Sequence, residues 1–313
     1  MEIVRYIDPN EQVVRIGVRQ DDSVTPIACG SLAELLAQPA TVLREALTAL
    51  TGPRQPVDDV ILLPPIDGLT EVWAAGVTYE RSRSARVEES SVAQVYELVY
   101  ESDRPELFFK SAAWRVVTDH EPVAIRGDSE LNVPEAELAL VINAAGEIVG
   151  YTVCNDMSSR TIEGENPLYL PQAKLYAGSC ALATGIRPAW EVPDPTDLDI
   201  ELTVSRDGGT AWHGRTNTRA MYRKPDDLAA WLFAEEWFPA GVILSTGTGL
   251  VPELDFSLHV GDVVRIVIDR VGTLTNTVLT GKDSFSWLAT SMADVIVTGK
   301  PRHQPGSRDF PSP

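Results

Sequence analysis

Apolar residues along this chain fall into short runs, many alternating with polar ones, separated by Gly, Pro and Asn/Asp punctuation. This pattern predicts strands joined by tight connections, with a few short helices. Residues 134–142 are the clearest case. An apolar stretch ends in Val141 and Ile142, an Asn-Ala-Ala-Gly segment follows, and a second β-branched run occupies 148–153. Strand, turn and strand are expected, with Gly146 reversing the chain. Further strands are expected at 13–18, 72–77, 107–110, 198–204, 210–217 and 242–248. A closing hairpin is expected at 263–268 and 272–278, and two extended pieces within 116–125, broken at Asp119-His120.

Helical spacing appears in fewer places. Ser31 stands as an N-cap with Glu34 three residues on, which predicts a helix over 31–36. Leu43, Ala46, Leu47 and Leu50 form one stripe over 40–50. Residues 79–100 and 225–237 also read as helices, the latter with Pro225 near its first turn. Pro167 and Pro171 forbid one continuous helix over 160–178. The segment 62–65, with two prolines, reads as a linker or an extended connection. The expectation is an α+β fold, mostly antiparallel. It divides into a small leading module (1–70), a larger unit (71–300) and a Pro-rich tail (301–313).

Composition narrows the class. The 313 residues are 44% hydrophobic, enough for a sizeable core. No apolar run reaches the roughly 20 residues of a membrane span, and the Met1-Glu2-Ile3-Val4-Arg5 start lacks a signal-peptide layout. Three cysteines without metal-ligand spacing predict reduced thiols in a cytoplasmic protein. A net charge of −19 argues against a nucleic-acid partner. Nucleotide-binding glycine motifs and a Gly-x-Ser-x-Gly elbow are absent from the sequence, and the four histidines show no metal pairing.

Candidate chemistry centres on the hairpin. Glu135 and Glu137 point the same way on a strand, and an antiparallel return brings Asp156 beside them. Such a trio either grips a hard divalent cation through oxygen ligands or forms a solvated strand face with a turn aspartate. The spacing alone leaves both readings open. Glu106 and Lys110 share a strand face at four-residue spacing, and Lys174 sits among small and apolar residues. Each is either a site residue or an ordinary surface charge. The Thr246-Gly247-Thr248-Gly249 loop can offer N–H groups and a hydroxyl to a carboxylate. The Arg81, Arg83 and Arg86 run is either an anion clamp or a solvated helix face.

Taken together, several motifs resemble those of the fumarylacetoacetate hydrolase superfamily. They are Glu135-x-Glu137-Leu-Ala, Gly150-Tyr151-Thr152-Val153-x-Asn155-Asp156-x-Ser158-x-Arg160, Lys174, Leu244-x-Thr246-Gly247-Thr248, and the 261–276 segment. The resemblance implies a mixed β-sandwich or roll with a smaller N-terminal α/β domain, usually as a homodimer. It also implies Mg²⁺ (or Mn²⁺ or Ca²⁺) on Glu135, Glu137 and Asp156. Many hydrolases and decarboxylases of this superfamily carry Tyr-x-x-His-x-x-Glu on the lid. Here Ser82 and Ala85 replace the His and Glu of that pattern. Residues 100–110 and 165–172 resemble the branch of 2-keto-3-deoxy-D-arabinonate dehydratases, which has a Tyr-Glu-x-Ser lid.

The expected activity is therefore metal-dependent dehydration of a 2-keto-3-deoxy sugar acid in carbohydrate catabolism. Glu106 and Lys174 share the acid and base roles in an order left open. Arg81, Ser82, Lys110 and Thr248 contact the substrate. The alternatives are hydrolysis or decarboxylation of a β-diketo or oxo acid, and a binding protein without turnover.

Overall fold

In a computed structural model, residues 1–8, 11–89 and 98–293 are described; the 301–313 tail and the end of the larger unit lie outside them. The chain opens with strands β1 (Glu2–Asp8), β2 (Val13–Gln20) and β3 (Ser23–Pro26), helices α1 (Leu32–Leu36) and α2 (Ala40–Ala46), and strands β4 (Gln55–Pro56) and β5 (Ile61–Leu63). Ser31 caps α1 as expected, its hydroxyl accepting from Glu34 N at 3.0 Å. The Glu34 carboxylate accepts from Gly30 N at 2.9 Å, one residue before the cap. Helix α2 is shorter than its apolar stripe suggested. Leu43 and Leu47 are buried, but Leu50 is 45% exposed, so nothing rewards another turn. Of the linker or extended connection read at 62–65, Leu62 and Leu63 are extended and belong to β5, which pairs with β1 through Arg5–Leu63 to Ile7–Ile61.

Then follow β6 (Glu71–Gly76), α3 (Glu80–Glu89), β7 (Glu106–Ala112), β8 (Val123–Ile125), β9 (Asn132–Val133), β10 (Ala136–Ile142), β11 (Ile148–Asp156), β12 (Ser158–Ser159), α4 (Arg160–Glu165), α5 (Leu170–Lys174), β13 (Cys180–Leu182) and β14 (Gly185–Pro188). The chain closes with β15 (Asp199–Arg206), β16 (Gly209–Asn217), α6 (Pro225–Leu232), β17 (Val242–Ser245), β18 (Val263–Ile268), β19 (Gly272–Thr280) and α7 (Ser286–Ala293). The 79–100 helix is seen as α3 and again at 98–101; what lies between is outside the described residues. Helix α6 stops at Leu232, short of residue 237, where Phe233 turns back onto Phe238 with ring centroids 5.0 Å apart. Within 116–125 only β8 is a strand; Val117 makes a single bridge to Ala181.

Among the described residues, a 12-stranded sheet runs β4-β3-β2-β1-β14-β11-β10-β17-β6-β7, with β13 and β5 as side pairings. It packs on a five-stranded sheet, β16-β15-β18-β19-β8. The α+β expectation and the mixed sheets agree. Most pairs are antiparallel, while β17–β6 and β19–β8 are parallel. Strand β10 is buried throughout, and its alternation sorts two cores. Leu138, Leu140 and Ile142 face the second sheet, meeting Ile200, Leu202, Ile266 and Leu274. Ala139 and Val141 face outward, under Leu32, Leu35, Leu36 and Leu43 from the leading helices. Each fully buried Leu or Ile contributes about 1.5–3 kcal/mol. The parity that places Ala139 and Val141 on the outer face also places Glu137 there. No described helix is long and apolar enough to cross a membrane.

Candidate metal centre and its cavity

Strands β10 and β11 pair antiparallel with Glu137 opposite Cys154 and Ala136 opposite Asn155; the Asp156 N–H donates to the Glu135 carbonyl at 3.0 Å. The hairpin therefore returns Asp156 to the two glutamates, as the sequence suggested. The three carboxylates are buried, at 3%, 1% and 1% exposure, and each offers an oxygen within 4.8 Å of the others. The solvated-face reading falls with that burial. Burying ionised carboxylates is costly unless they are paired.

Three cationic side chains supply the pairing. Lys174 Nζ donates to Glu135 Oε2 at 2.8 Å, Asp156 Oδ2 at 3.3 Å and Ser158 Oγ at 2.6 Å. Lys110 Nζ contacts Asp156 Oδ1 and donates to the carbonyls of Met157 (3.0 Å) and Lys174 (2.6 Å). Arg160 lies 3.2 Å from Glu135 Oε1. Glu137 takes neutral donors instead: the Ser245 hydroxyl at 2.5 Å and the Gly247 N–H at 2.8 Å, both on Oε2. Burial pushes its carboxyl well above the usual range, and the charges of Asp156 and Glu135 push it further the same way. An all-oxygen trio, buried and converging, fits a hard divalent cation such as Mg²⁺. Its burial and its held geometry make it a candidate Mg²⁺ site.

Two glycines shape the approach. Gly247 has φ +90°, and a Cβ there would lie 2.1 Å from Thr78 Oγ1; the residue must be small for the loop to reach Glu137. A Cβ on Gly76 would lie 1.9 Å from Glu106 Oε2, so the Glu106 carboxylate rests on this bare backbone. Between them, Val77 is held at φ +52° despite its branched side chain, a conformation costing on the order of 1–3 kcal/mol. The next residue is anchored, the Thr78 hydroxyl donating to the Thr246 carbonyl (2.6 Å) and the Thr78 carbonyl accepting from the Tyr222 N–H (2.9 Å).

These elements enclose a cavity lined by Glu135, Asp156, Lys174, Glu106, Ser82 and Thr248, together with Glu163, Phe108, Gly247 and residues 75–77. Its free space is ≈ 10 Å³, about that of one water. Six of the sequence candidates outside the hairpin can now be placed. Glu106, Lys174, Ser82 and Thr248 reach the cavity. Ser82 also donates to the Tyr79 carbonyl at 2.8 Å, fixing the first turn of α3. Lys110 does not line the cavity. A β-bulge sets Phe109 opposite Trp73 and Ser111 opposite Val72, leaving Lys110 unpaired between them and turned beneath Asp156. The shared face expected of Glu106 and Lys110 is lost by that extra residue. Arg81, the remaining lid candidate, is exposed, donates to the Val251 carbonyl at 3.4 Å and does not line the cavity.

Sequence reasoning gave no role to Glu163, Arg160, Ser158 or Ser245. The Asp156-x-Ser158-x-Arg160 spacing was the available signal for two of them. Of the four histidines, His120, His213 and His259 are away from the cavity, and His303 lies outside the described residues. The three cysteines are free thiols, Cys154 and Cys180 buried.

The chain matches the family model described as fumarylacetoacetate (FAA) hydrolase C-terminal over residues 71–279. It is 44% identical over 255 residues to a probable 2-keto-3-deoxyxylonate dehydratase of Haloferax volcanii, covering 80% of this chain and 88% of that protein. It is 43% identical over 223 residues to the 2-dehydro-3-deoxy-D-arabinonate dehydratase of Saccharolobus solfataricus, covering 70% and 74%. A solved structure of 2-keto-3-deoxy-D-arabinonate dehydratase complexed with magnesium and 2,5-dioxopentanoate superposes with a TM-score of 0.77 at 33% identity, covering 90% of this chain and 99% of that one.

Proposed function

Since the chain belongs to the fumarylacetoacetate hydrolase family, we propose that it is a Mg²⁺-dependent hydro-lyase that dehydrates a 2-keto-3-deoxy sugar acid. The observation that carries this reading is the meeting of Glu135, Asp156, Glu106 and Lys174 in one cavity whose lid contributes Ser82. The relatives named for 2-keto-3-deoxy-pentonate dehydration support it, and they point to conversion of a 2-keto-3-deoxypentonate into 2,5-dioxopentanoate and water.

Glu135, Glu137 and Asp156 would hold the ion, which when bound supplies Lewis-acid polarisation of the 2-oxo acid. The remaining work belongs to side chains. Dehydration needs a group to take the C3 proton and a group to protonate the departing C4 hydroxyl, so that it leaves as water. Tautomerisation then moves a proton from C5 and the proton of its hydroxyl to C3 and C4, leaving the C5 aldehyde. Glu106 and Lys174 are the groups we assign to the first pair of transfers. To Thr248, which lines the cavity at the end of the Gly247 turn, we assign the substrate carboxylate. Lys110 and Arg160 contribute from behind, by fixing Asp156 and Glu135.

The lid speaks against hydrolysis. Helix α3 presents Ser82 to the cavity and buries Ala85, and no histidine lines the cavity among the described residues. A water nucleophile would lack the base that many hydrolases of the superfamily carry there. We also propose a homodimer, on the family likeness, and a small leading module over residues 1–70, since the family match begins at 71, its strands continuing the main sheet through the β1–β14 pairing.

The test is a pair of incubations with Mg²⁺. A 2-keto-3-deoxypentonate should yield 2,5-dioxopentanoate, read as a semialdehyde, while an acylpyruvate should be left intact. Pyruvate from the second with no semialdehyde from the first would overturn the assignment.

A further inference from the structure

Resting on the dehydratase reading, we propose that Glu163 is the residue that selects hydroxylated over unhydroxylated 2-oxo acids, by accepting hydrogen bonds from the hydroxyl-bearing end of the substrate. Glu163 is 4% exposed and lines the cavity beside Ser82, Glu106 and Lys174. It is not one of the three acids that converge as a cation site. Its position is built rather than incidental. Helix α4 starts immediately after β12, with the Ser159 hydroxyl accepting from Ile162 N at 3.3 Å, and the helix packs against the lid helix α3. The same turn sends Arg160 to Glu135. One short helix thus ties the metal end of the cavity to a second carboxylate on the lid side.

The chemistry of that carboxylate indicates its ligand. An ionised carboxylate only accepts hydrogen bonds. The chelating end of a 2-oxo acid offers no donors, whereas C4 and C5 of a sugar acid carry hydroxyls. A buried carboxylate meeting an alkyl chain in place of those hydroxyls loses solvent and gains nothing, which penalises the wrong substrate. Sites built to bond a hydroxyl reject analogues lacking it far more strongly than apolar pockets reject extra groups. Phe108 and Val77 supply the apolar remainder of the wall.

The experiment compares wild type, Glu163→Gln and Glu163→Leu, each checked for an unchanged melting transition, with 2-keto-3-deoxypentonate as substrate. Calorimetric binding of 2-oxopentanoate, which has no hydroxyl and cannot dehydrate, is measured alongside. Glu163→Gln should raise KM for the sugar acid about 10–100-fold, the usual worth of a charge-assisted hydrogen bond, with kcat within tenfold. Glu163→Leu should bind 2-oxopentanoate more tightly than wild type. Should Glu163→Leu fail to fold, the Gln variant and its KM decide alone. An unchanged KM in Glu163→Gln, or a fall in kcat with KM constant, overturns the proposal. If wild type itself leaves the sugar acid untouched, the dehydratase reading is what has failed.

Discussion

The ammonium of Lys174 bridges two of the three clustered carboxylates, 2.8 Å from Glu135 Oε2 and 3.3 Å from Asp156 Oδ2. It therefore stands where it competes with any cation drawn to the same oxygens, and a divalent ion arriving there weakens its hold on them. The same ammonium donates to Ser158 Oγ at 2.6 Å, a contact that such an ion would not contest.

Removing that ammonium should expose the conflict it settles. Taking one partner from a buried ion pair typically costs about 3–5 kcal/mol. Lys174→Met is expected to melt well below wild type in EDTA. Millimolar Mg²⁺ should raise its melting temperature by more than it raises the wild type's. Dehydration should fall by about 10²–10⁴-fold, the scale of a lost acid or base. Equal Mg²⁺ shifts in the two proteins would show that Lys174 and the ion do not share the site.

Glu137 makes metal binding depend on pH. Its folded carboxyl titrates well above the ordinary 4.5, because burial and two neighbouring carboxylates disfavour its charge. In the metal-free protein this raised value favours the folded state while the group is protonated, and that contribution is lost as pH rises from about 4.5 through the folded value. A bound cation requires the ionised form, so binding releases a proton. The melting-temperature gain from a fixed Mg²⁺ concentration should therefore grow with pH across that window. A gain independent of pH would contradict the titration.

Ser245 is one of two donors on Glu137 Oε2. Partners that orient a ligand are commonly worth 10–100-fold in metal affinity. Ser245→Ala should weaken Mg²⁺ binding by about that factor in calorimetry, with the fold retained. An unchanged affinity would mean that Gly247 N–H alone sets the carboxylate.

Gly76 offers a steric test of Glu106 that leaves its chemistry in place. A methyl at this position would overlap Glu106 Oε2 at 1.9 Å, so Gly76→Ala should displace the carboxylate. The expected result is a drop in kcat approaching that of Glu106→Gln, about 10²–10⁴-fold, with circular dichroism unchanged. Full activity in Gly76→Ala would remove Glu106 from the proton transfers.

How much of this was legible in the sequence can be judged from particular residues. The hairpin was, because β-branched runs flank a Gly146 turn and a period of two fixes which acids share a face. The closing hairpin β18–β19 was legible for the same reason. Strand β1 was not: in Glu2–Asp8 most positions are buried, so alternation fails. The turn of Lys110 beneath Asp156 was hidden as well, since a bulge exists only relative to the partner strand, here β6. Ser245 reaches Glu137 across 108 residues of chain, a distance no local pattern encodes. Strand β17 ends at Ser245, short of residue 248, because Gly247 must leave the ladder to bond Glu137.

In the proposed reaction, one divalent ion on Glu135, Glu137 and Asp156 enables dehydration of the sugar acid. The most direct measurement titrates Mg²⁺ into EDTA-stripped protein, following heat of binding and 2,5-dioxopentanoate formation together, for wild type and Glu137→Gln. Binding and activity should rise together at one ion per chain in wild type, and both should be lost in the variant. Semialdehyde formed at full rate without the ion, or by Glu137→Gln as fast as by wild type, would rule out a metal-dependent dehydration at this trio.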